Sequence, residues 1–450
     1  MTAADGATEL DPDSIMRTRR FAALLLLAAI VGVIASLAAF GFLTLLHDLR
    51  GWIFDDLPGA FGFDSAPDWW SLPVLAIAGL VVAFAIARLP GQGGHVPVHG
   101  LDPEPTQPIE LPGVLVAALA TIGFGLVLGP EAPLIALGGG LGFLAVRLLR
   151  RDAPEAVSTL VAASGTFAAI SFLFGSPVIA AVILIEATGI GGSRLRLMLV
   201  PGLLAAGIGS LVSIGMGSWT GVDTSDISLE PLSLPAFPQP DVVDFMWTVP
   251  LAAVVAAGAV LIFAVARRTE PIVAGRPFVA LPICGVAVAG LAIAFSAITD
   301  KGVEQVLYSG EEAIDPLVSH AGSWSLGALA LLIGFKGLAY AISLAGFRGG
   351  PVFPALFLGA AAGLMAAQLP GFEITPAVAV CMGAATAAVL QLPLSAVVLA
   401  TLLTFEAGLG VGPLIIVAVV VAHLTTRMLA GWREPEPASA GPAGVEPSRA

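Results

Sequence analysis

Long uninterrupted apolar runs constrain this chain more than any other feature of its sequence. Phe21 to Leu46, Leu72 to Ala87 and Ser325 to Leu344 contain at most one charged residue each. A helix that spans a bilayer needs about 20 mostly apolar residues, whereas a water-soluble core has no use for such runs. Charged residues make up only 11% of the chain, against about 25% in soluble domains. The sequence therefore predicts an all-α, multi-pass membrane protein.

The distribution of charge predicts the orientation and excludes one class of partner. The net charge is −13, but the acids fall in the N-terminal tail and in apparent loops, which is typical of solvated segments. Arginines precede the first apolar run and therefore predict a cytoplasmic N-terminus. Further cytoplasmic ends are marked by Arg147, Arg150, Arg151, Arg194 and Arg196. A basic patch interleaved with aromatic residues does not occur in the sequence, so we expect no nucleic-acid partner.

Composition also predicts the domain boundaries. Residues 1–20 form a cytoplasmic tail, residues 21–432 form one transmembrane domain, and residues 433–450 form a disordered tail. Within the membrane domain we place the first half at about 21–216 and the second half at about 245–432. Cys284 and Cys381 sit in apolar stretches without metal-ligand spacing, so neither a disulfide nor a metal site is expected.

An internal repeat connects the two halves. The segment Gly-Pro-Glu-Ala-Pro at 129–133 matches Gly-Pro-Val-Phe-Pro at 350–354, shifted by 221 positions. Apolar runs that begin at Pro177 and Pro393 then follow in the same order. Short apolar segments interrupted by Gly and Pro at matching places in two halves point to the binding site of a transporter. The sequence leaves open whether the halves are inverted.

Both repeated segments predict a helix that starts inside the membrane domain. Gly permits a tight turn, and Pro suits the first helical position because no amide donor is needed there. The unpaired N–H groups of such a start attract anions, so two starts facing one point form an anion site without a full positive charge. Glu131 lies inside the first segment, and an ionised acid at the bilayer centre costs about 2.5–3.5 kcal/mol. We interpret Glu131 as the gate, with a purely dipole-offsetting role as the alternative.

These segments resemble those of a known family. Gly-Gly-His-Val-Pro at 93–97, with the segments at 129–133 and 350–354, is similar to the three anion-selectivity segments of the CLC chloride channels and chloride/proton antiporters. The resemblance covers about residues 20–430 and fits a bacterial-type member without a C-terminal regulatory domain. It implies an inverted-repeat helical fold with broken helices that meet at the midplane, a homodimer, and Glu131 as the external gating glutamate. The anion-binding residues it implies are Gly93, Gly94, His95, Val96, Pro97, Gly129, Pro130, Ala132, Pro133, Gly350, Val352, Phe353 and Pro354.

The sequence departs from the family at the pore itself. Gly94 stands where the family has its pore serine, and Val352 stands where it has a phenylalanine. The family's central tyrosine has no counterpart near the C-terminus, because the only tyrosines are Tyr308 and Tyr340. Pro130 and Pro351 remove two backbone donors. The amides of Glu131, Ala132, Val352 and Phe353 remain to hold an anion.

Several further residues allow two interpretations each. Glu186 lies one position before the family's internal proton-relay glutamate, so it is either part of a proton path or an acid at a helix end. His95 either satisfies local hydrogen bonds or titrates at the pore mouth. Lys336 and Arg348 lie near or within the second-half apolar region. Arg348 either concentrates anions near Gly350 or, like Lys336, snorkels to the membrane interface. The glycines at 91–94 predict a weaker, third broken-helix start.

The predicted function is transport of chloride or a similar small anion through the cell membrane of a prokaryote, as a channel or an anion/proton antiporter. A fluoride/proton antiporter of the same family is the nearest alternative, and a cation-coupled solute carrier is a more distant one. We expect no enzymatic activity and no cofactor, because His-Glu-x-x-His and Gly-x-Ser-x-Gly patterns do not occur. The expected partners are the anion, protons if it is an exchanger, the bilayer and a second copy of the chain.

Overall fold

The structure is a computed structural model that describes residue 16 and residues 18–101, 106–149, 152–189, 192–220, 229 and 231–431. The predicted disordered tail at 433–450 lies outside the described residues, as does most of the predicted cytoplasmic tail at 1–20. Within the described ranges, nine helices are long and apolar enough to cross a membrane. They include the helices formed by the three apolar runs at 21–46, 72–87 and 325–344, which confirms the prediction of a helical membrane protein.

The first half of the chain contains seven main helices. They are α1 (Arg19–Gly51), α2 (Ser71–Arg88), α3 (Leu111–Ile122), α4 (Glu131–Leu149), α5 (Glu155–Leu173), α6 (Pro177–Thr188) and α7 (Gly192–Thr220). A π turn at Trp52–Asp56 and one further helical turn at Leu57–Ala60 extend α1. The indole Nε1 of Trp70 donates to the carbonyl of Ile53 at 3.0 Å, so α2 begins on the side of the molecule where α1 ends.

The second half contains eight helices. They are α8 (Val242–Gly275), α9 (Pro277–Thr299), α10 (Ile314–Ser319), α11 (Leu326–Gly346), α12 (Val352–Ala366), α13 (Ile374–Leu390), α14 (Pro393–Leu403) and α15 (Gly412–Gly431). Both repeated segments start helices, as predicted: α4 begins at Glu131 and α12 begins at Val352. The helices that begin at Pro177 and Pro393 are the matched pair α6 and α14.

The halves are inverted with respect to each other. Gly129 and Gly350, which are equivalent in the repeat, form an isolated antiparallel β-bridge. An antiparallel pair of equivalent residues requires a local two-fold axis between them, so the halves approach this point from opposite directions. The amide of Gly129 donates to the carbonyl of Gly350 at 2.8 Å, and the amide of Gly350 donates back at 2.6 Å.

Matched helix pairs support the two starts. α4 packs on α5 and α12 packs on α13, each over most of its length. The close approach depends on glycines at equivalent places: a Cβ on Gly138 would collide with the backbone of Gly165, and a Cβ on Gly359 would press on the backbone of Met382. Small residues allow this approach in membrane helices, where packing contacts replace the hydrophobic driving force.

Candidate functional site

The site lies where the N-termini of α4 and α12 meet inside the helical bundle. The β-bridge between Gly129 and Gly350 fixes the two chain segments just before these helices. Pro133 and Pro354 lie in the first turn of each helix, where a missing amide costs nothing. The positive ends of two helix dipoles are thereby held together at one buried point.

The carboxylate of Glu131 occupies this point. The side chain is 1% exposed, and Oε1 accepts a hydrogen bond of 2.9 Å from the backbone amide of Phe353 in the other half. The amides of Val352 and of Glu131 itself also face the carboxylate. Within the described part of the chain, Oε2 has no hydrogen-bond partner. The carboxylate therefore binds one of the four amides predicted to hold an anion and lies close to two more of them.

Glycine at the bridge makes room for this carboxylate. A Cβ added to Gly350 would collide with Oε2 of Glu131, and a Cβ added to Gly129 would collide with both carboxylate oxygens. Both glycines have ordinary negative φ angles, so their requirement comes from close approach and not from backbone conformation.

The first segment forms turns and does not start an α-helix. It contains two short 3₁₀ turns, Pro90–Gly93 and Pro97–His99, joined by Gly94, His95 and Val96. Positive φ angles, which favour glycine, occur at five residues of this segment. Four of them are glycines (Gly91, Gly93, Gly94 and Gly100), and the fifth is Gln92. The prediction of a third broken-helix start was wrong, because consecutive left-handed residues cannot continue a right-handed helix.

The first segment instead forms one wall of a cavity, together with residues of the second segment and the two residues that precede the third. This open space of about 250 Å³ is called the arginine cavity here. Its lining includes Gly93, Gly94 and His95 from the first segment, Ala132 and Pro133 from the second, and Arg348 and Gly349 beside the third. Val96 and Pro97 lie beyond it, at the turn that leads to His99.

A second cavity, also of about 250 Å³, is lined by the residue that precedes Glu131 in the chain. Pro130 lines this acidic cavity, together with Arg50, Tyr308, Glu311 and Glu312. Arg50 pairs with Glu312 and its guanidinium carbon lies 3.8 Å from the centre of the Tyr308 ring. Since Pro130 lines one cavity and Ala132 lines the other, the buried Glu131 is the residue between them.

Two buried cations lie near the site, and the sequence pattern did not predict their burial. Lys336 is fully buried, and Nζ donates to four consecutive carbonyls, from Gln305 to Tyr308, at 2.8–3.3 Å. Arg348 is only 8% exposed. The snorkelling interpretation was therefore wrong for both. One signal could have identified Arg348: it replaces the apolar Val127 at the equivalent position of the repeat.

Tyr340 is a further residue that the pattern did not place at the site. It is buried on α11, and its hydroxyl donates to the carbonyl of Pro351 at 2.7 Å. Phe353, at the start of α12, stacks on Phe174 with ring centroids 5.7 Å apart. These contacts fix the backbone that presents the amides of Val352 and Phe353 to Glu131.

Glu186 joins α6 to α14. Its carboxylate accepts the amides of Leu394 and Ser395 at 2.9 and 2.7 Å, and the Ser395 hydroxyl at 2.7 Å. This is the geometry of a helix cap supplied by another helix. It favours the helix-end interpretation, while the role in a proton path stays a prediction.

Comparison with known proteins places this architecture in a family. The family model described as voltage gated chloride channel matches residues 97–427. A protein named YfeO from Salmonella schwarzengrund, described as an ion-transport protein, is 32% identical over 364 residues, which cover 78% of this chain and 81% of the relative. YfeO from Escherichia fergusonii is 29% identical over 358 residues, with 78% and 80% covered.

Solved structures agree on the fold. A slow cyanobacterial Cl⁻/H⁺ antiporter is similar with a TM-score of 0.70 and 18% identity, over 91% of this chain and 95% of that one. A CLC-type fluoride/proton antiporter gives a TM-score of 0.69 and 18% identity, over 90% and 96%. These helices and this midplane site define an anion-transporting membrane protein. The chain belongs to the CLC family of voltage gated chloride channels and transporters.

Proposed function

We propose that this protein transports chloride or a similar small anion across the cell membrane, with Glu131 as the gate. The observation that carries the proposal is the hydrogen bond from the Phe353 amide to the Glu131 carboxylate. One half of the repeat supplies the carboxylate, and the other half supplies the helix start that binds it. A small anion needs the same amides, so the carboxylate and the anion compete for one place.

Competition gives the gate two ways to open. A transported anion can displace the carboxylate from the amides, or a proton can neutralise the carboxylate and weaken its hold on the helix start. Either event joins the arginine cavity to the acidic cavity, which flank Pro130 and Ala132. The buried site strengthens both effects, because electrostatic interactions grow as the local dielectric falls. A channel and an anion/proton antiporter both fit this gate.

The topology and assembly belong to the same proposal. The N-terminus is cytoplasmic by the arginine rule. Arg147 donates to the side chain of Gln107, which precedes α3, and a Cβ on Gly113 in α3 would touch the carbonyl of Pro90 just after α2. The ends of α2 and α4 therefore share one face, which supports a cytoplasmic arginine cavity. A second copy of the chain completes a homodimer with one pathway in each subunit.

A fluoride/proton antiporter is the second candidate, and one observation favours it. The two hydroxyl ligands of the usual chloride pore are missing here, since Gly94 replaces the serine and the Tyr340 hydroxyl donates to Pro351. A similar solved structure is a fluoride/proton antiporter. A cation-coupled carrier is less well supported, because the pathway presents amides and a guanidinium where a sodium site needs oxygen ligands.

Reconstituted vesicles test both the coupling and the ion. An imposed chloride gradient is expected to drive chloride flux, and proton movement with it if the protein is an antiporter. The same measurement with a fluoride gradient ranks the two ions. If fluoride flux is faster than chloride flux, the substrate is fluoride and not chloride. Absence of flux for both anions would overturn the proposal.

A further inference from the structure

The guanidinium of Arg348 is held in the wall of the arginine cavity by its two terminal nitrogens, while Nε makes no hydrogen bond to any described residue. One terminal nitrogen donates to the carbonyls of Gly346 and Phe347 at 2.8 and 3.3 Å, and the other donates to Gln92 at 3.4 Å. Nε is buried and has no hydrogen-bond partner among the residues that the structure describes. It faces Gly93, where an added Cβ would lie only 3.6 Å away. The free N–H is therefore in the part of the wall that the first segment builds.

The contact that the two halves share at this position comes from the backbone, and the guanidinium adds contacts that only the second half has. Arg348 and Val127 are equivalent in the repeat, and each donates its backbone amide to a hydroxyl of the other half. The Val127 amide donates to Ser343, and the Arg348 amide donates to Thr121, both at 3.2 Å. The shared structural task thus belongs to the backbone. The side chain is apolar in the first half and charged in the second.

The charge also lacks a carboxylate partner. Among the described residues, no carboxylate oxygen forms an ion pair with Arg348. Glu110 lies in the cavity wall and accepts the Gln107 amide at 2.9 Å, while Glu270 is paired with His99 at 2.9 Å. Glu270 acts on Arg348 electrostatically but forms no ion-pair contact with it, so part of the cost of burying the guanidinium is left uncompensated. An anion in the cavity would remove that cost.

We propose that Arg348 binds the transported anion in the arginine cavity through its Nε–H group. Arg348 takes the part of a side-chain ligand at a place where Gly94 offers no hydroxyl. The ligand is a small monovalent anion such as chloride, which rests on the proposed function of the chain. A full charge holds an anion more tightly than helix starts alone, so this site slows release and favours residence before the gate.

Chloride binding to the purified protein, measured by titration calorimetry, tests the assignment. Arg348→Gln is expected to weaken chloride affinity by about tenfold or more, because a charge-assisted hydrogen bond is lost. Arg348→Lys, which keeps the charge, is expected to bind more tightly than Arg348→Gln. Arg276→Gln changes an exposed arginine between α8 and α9 and serves as the matched control. Chloride affinity in Arg348→Gln equal to that of the unmodified protein would overturn the assignment.

A second measurement does not depend on the folding of any variant. Crystals of the unmodified protein soaked in bromide should show an anomalous peak beside Nε of Arg348. Bromide peaks confined to other places would contradict the proposal. The role of Glu131 as the gate is tested separately with Glu131→Gln. This variant keeps the charge of Arg348, so it should bind chloride at least as tightly as the unmodified protein. Normal binding in Glu131→Gln with unchanged flux would contradict the gate and leave the Arg348 site standing.

Discussion

At the scale of single residues, carboxylates dominate the acidic cavity, which Arg348 does not line. Glu311 lies half-buried in the wall of the acidic cavity, next to Glu312, which pairs with Arg50. Burial and the nearby carboxylates of Glu131 and Glu312 raise the pKa of the Glu311 carboxyl well above its ordinary value. Anions that approach from this side therefore meet less negative charge when Glu311 is protonated.

The raised pKa of Glu311 predicts how stability depends on pH. The folded chain binds this proton more tightly than the unfolded chain, so stability falls as the pH rises from the unfolded pKa through the folded pKa. We expect Glu311→Gln to reduce this fall in the thermal unfolding midpoint. Glu304→Gln, an exposed acid in the same loop, should leave the pH profile as it is. Identical profiles for the unmodified protein and Glu311→Gln would contradict the prediction.

Residue-scale prediction from the sequence succeeded where the physics was local and failed where it was not. The cost of an acid in an apolar stretch singled out Glu131, and the structure buries it at two helix starts. The carbonyls that hold Lys336 lie about thirty residues away in the chain, on a loop without a regular pattern. No local pattern could show that this loop folds back over α11.

At the scale of helices, the sequence pattern predicted where helices begin but not which other helices they contact. Pro marks the beginnings of α4, α6, α12 and α14, and Gly precedes it in all but α14, because each start needs a turn and a preset dihedral. Gly and Pro also occur at 90–97, but there they form only 3₁₀ turns, because the run of positive φ angles excludes a right-handed α-helix. Composition could not separate these cases. The capping of α14 by Glu186 depends on the contact between α6 and α14, which the pattern of one sequence does not contain.

Substitution of Glu186 tests how much this cap stabilises the protein. We expect Glu186→Ala to lower stability by about 1–2 kcal/mol, because two amides of α14 and the Ser395 hydroxyl lose their acceptor. The unfolding midpoint measures this loss, and proton movement driven by chloride measures any part in a proton path. Glu406→Ala removes an exposed acid near the end of α14 as a control. Normal stability with lost proton movement would reverse the interpretation and favour the proton path.

At the scale of the whole molecule, the repeat predicted the meeting of the two halves but not their inversion. The shift of 221 residues pairs Gly129 with Gly350, and the structure joins these glycines in one β-bridge. Repeated sequence alone is compatible with parallel or inverted halves. The antiparallel pairing of equivalent residues shows that the two halves are inverted.

Anion efflux from liposomes tests the role of Glu131 most directly. The unmodified protein is compared with Glu131→Gln and with Glu155→Gln. Glu155 is an exposed first-turn acid that also follows a proline, so it reproduces the alternative of an acid that only offsets a helix dipole. The gate predicts that Glu131→Gln changes the efflux rate and removes its dependence on pH, while Glu155→Gln leaves both as they are. Unchanged efflux and pH dependence in Glu131→Gln would contradict the gate.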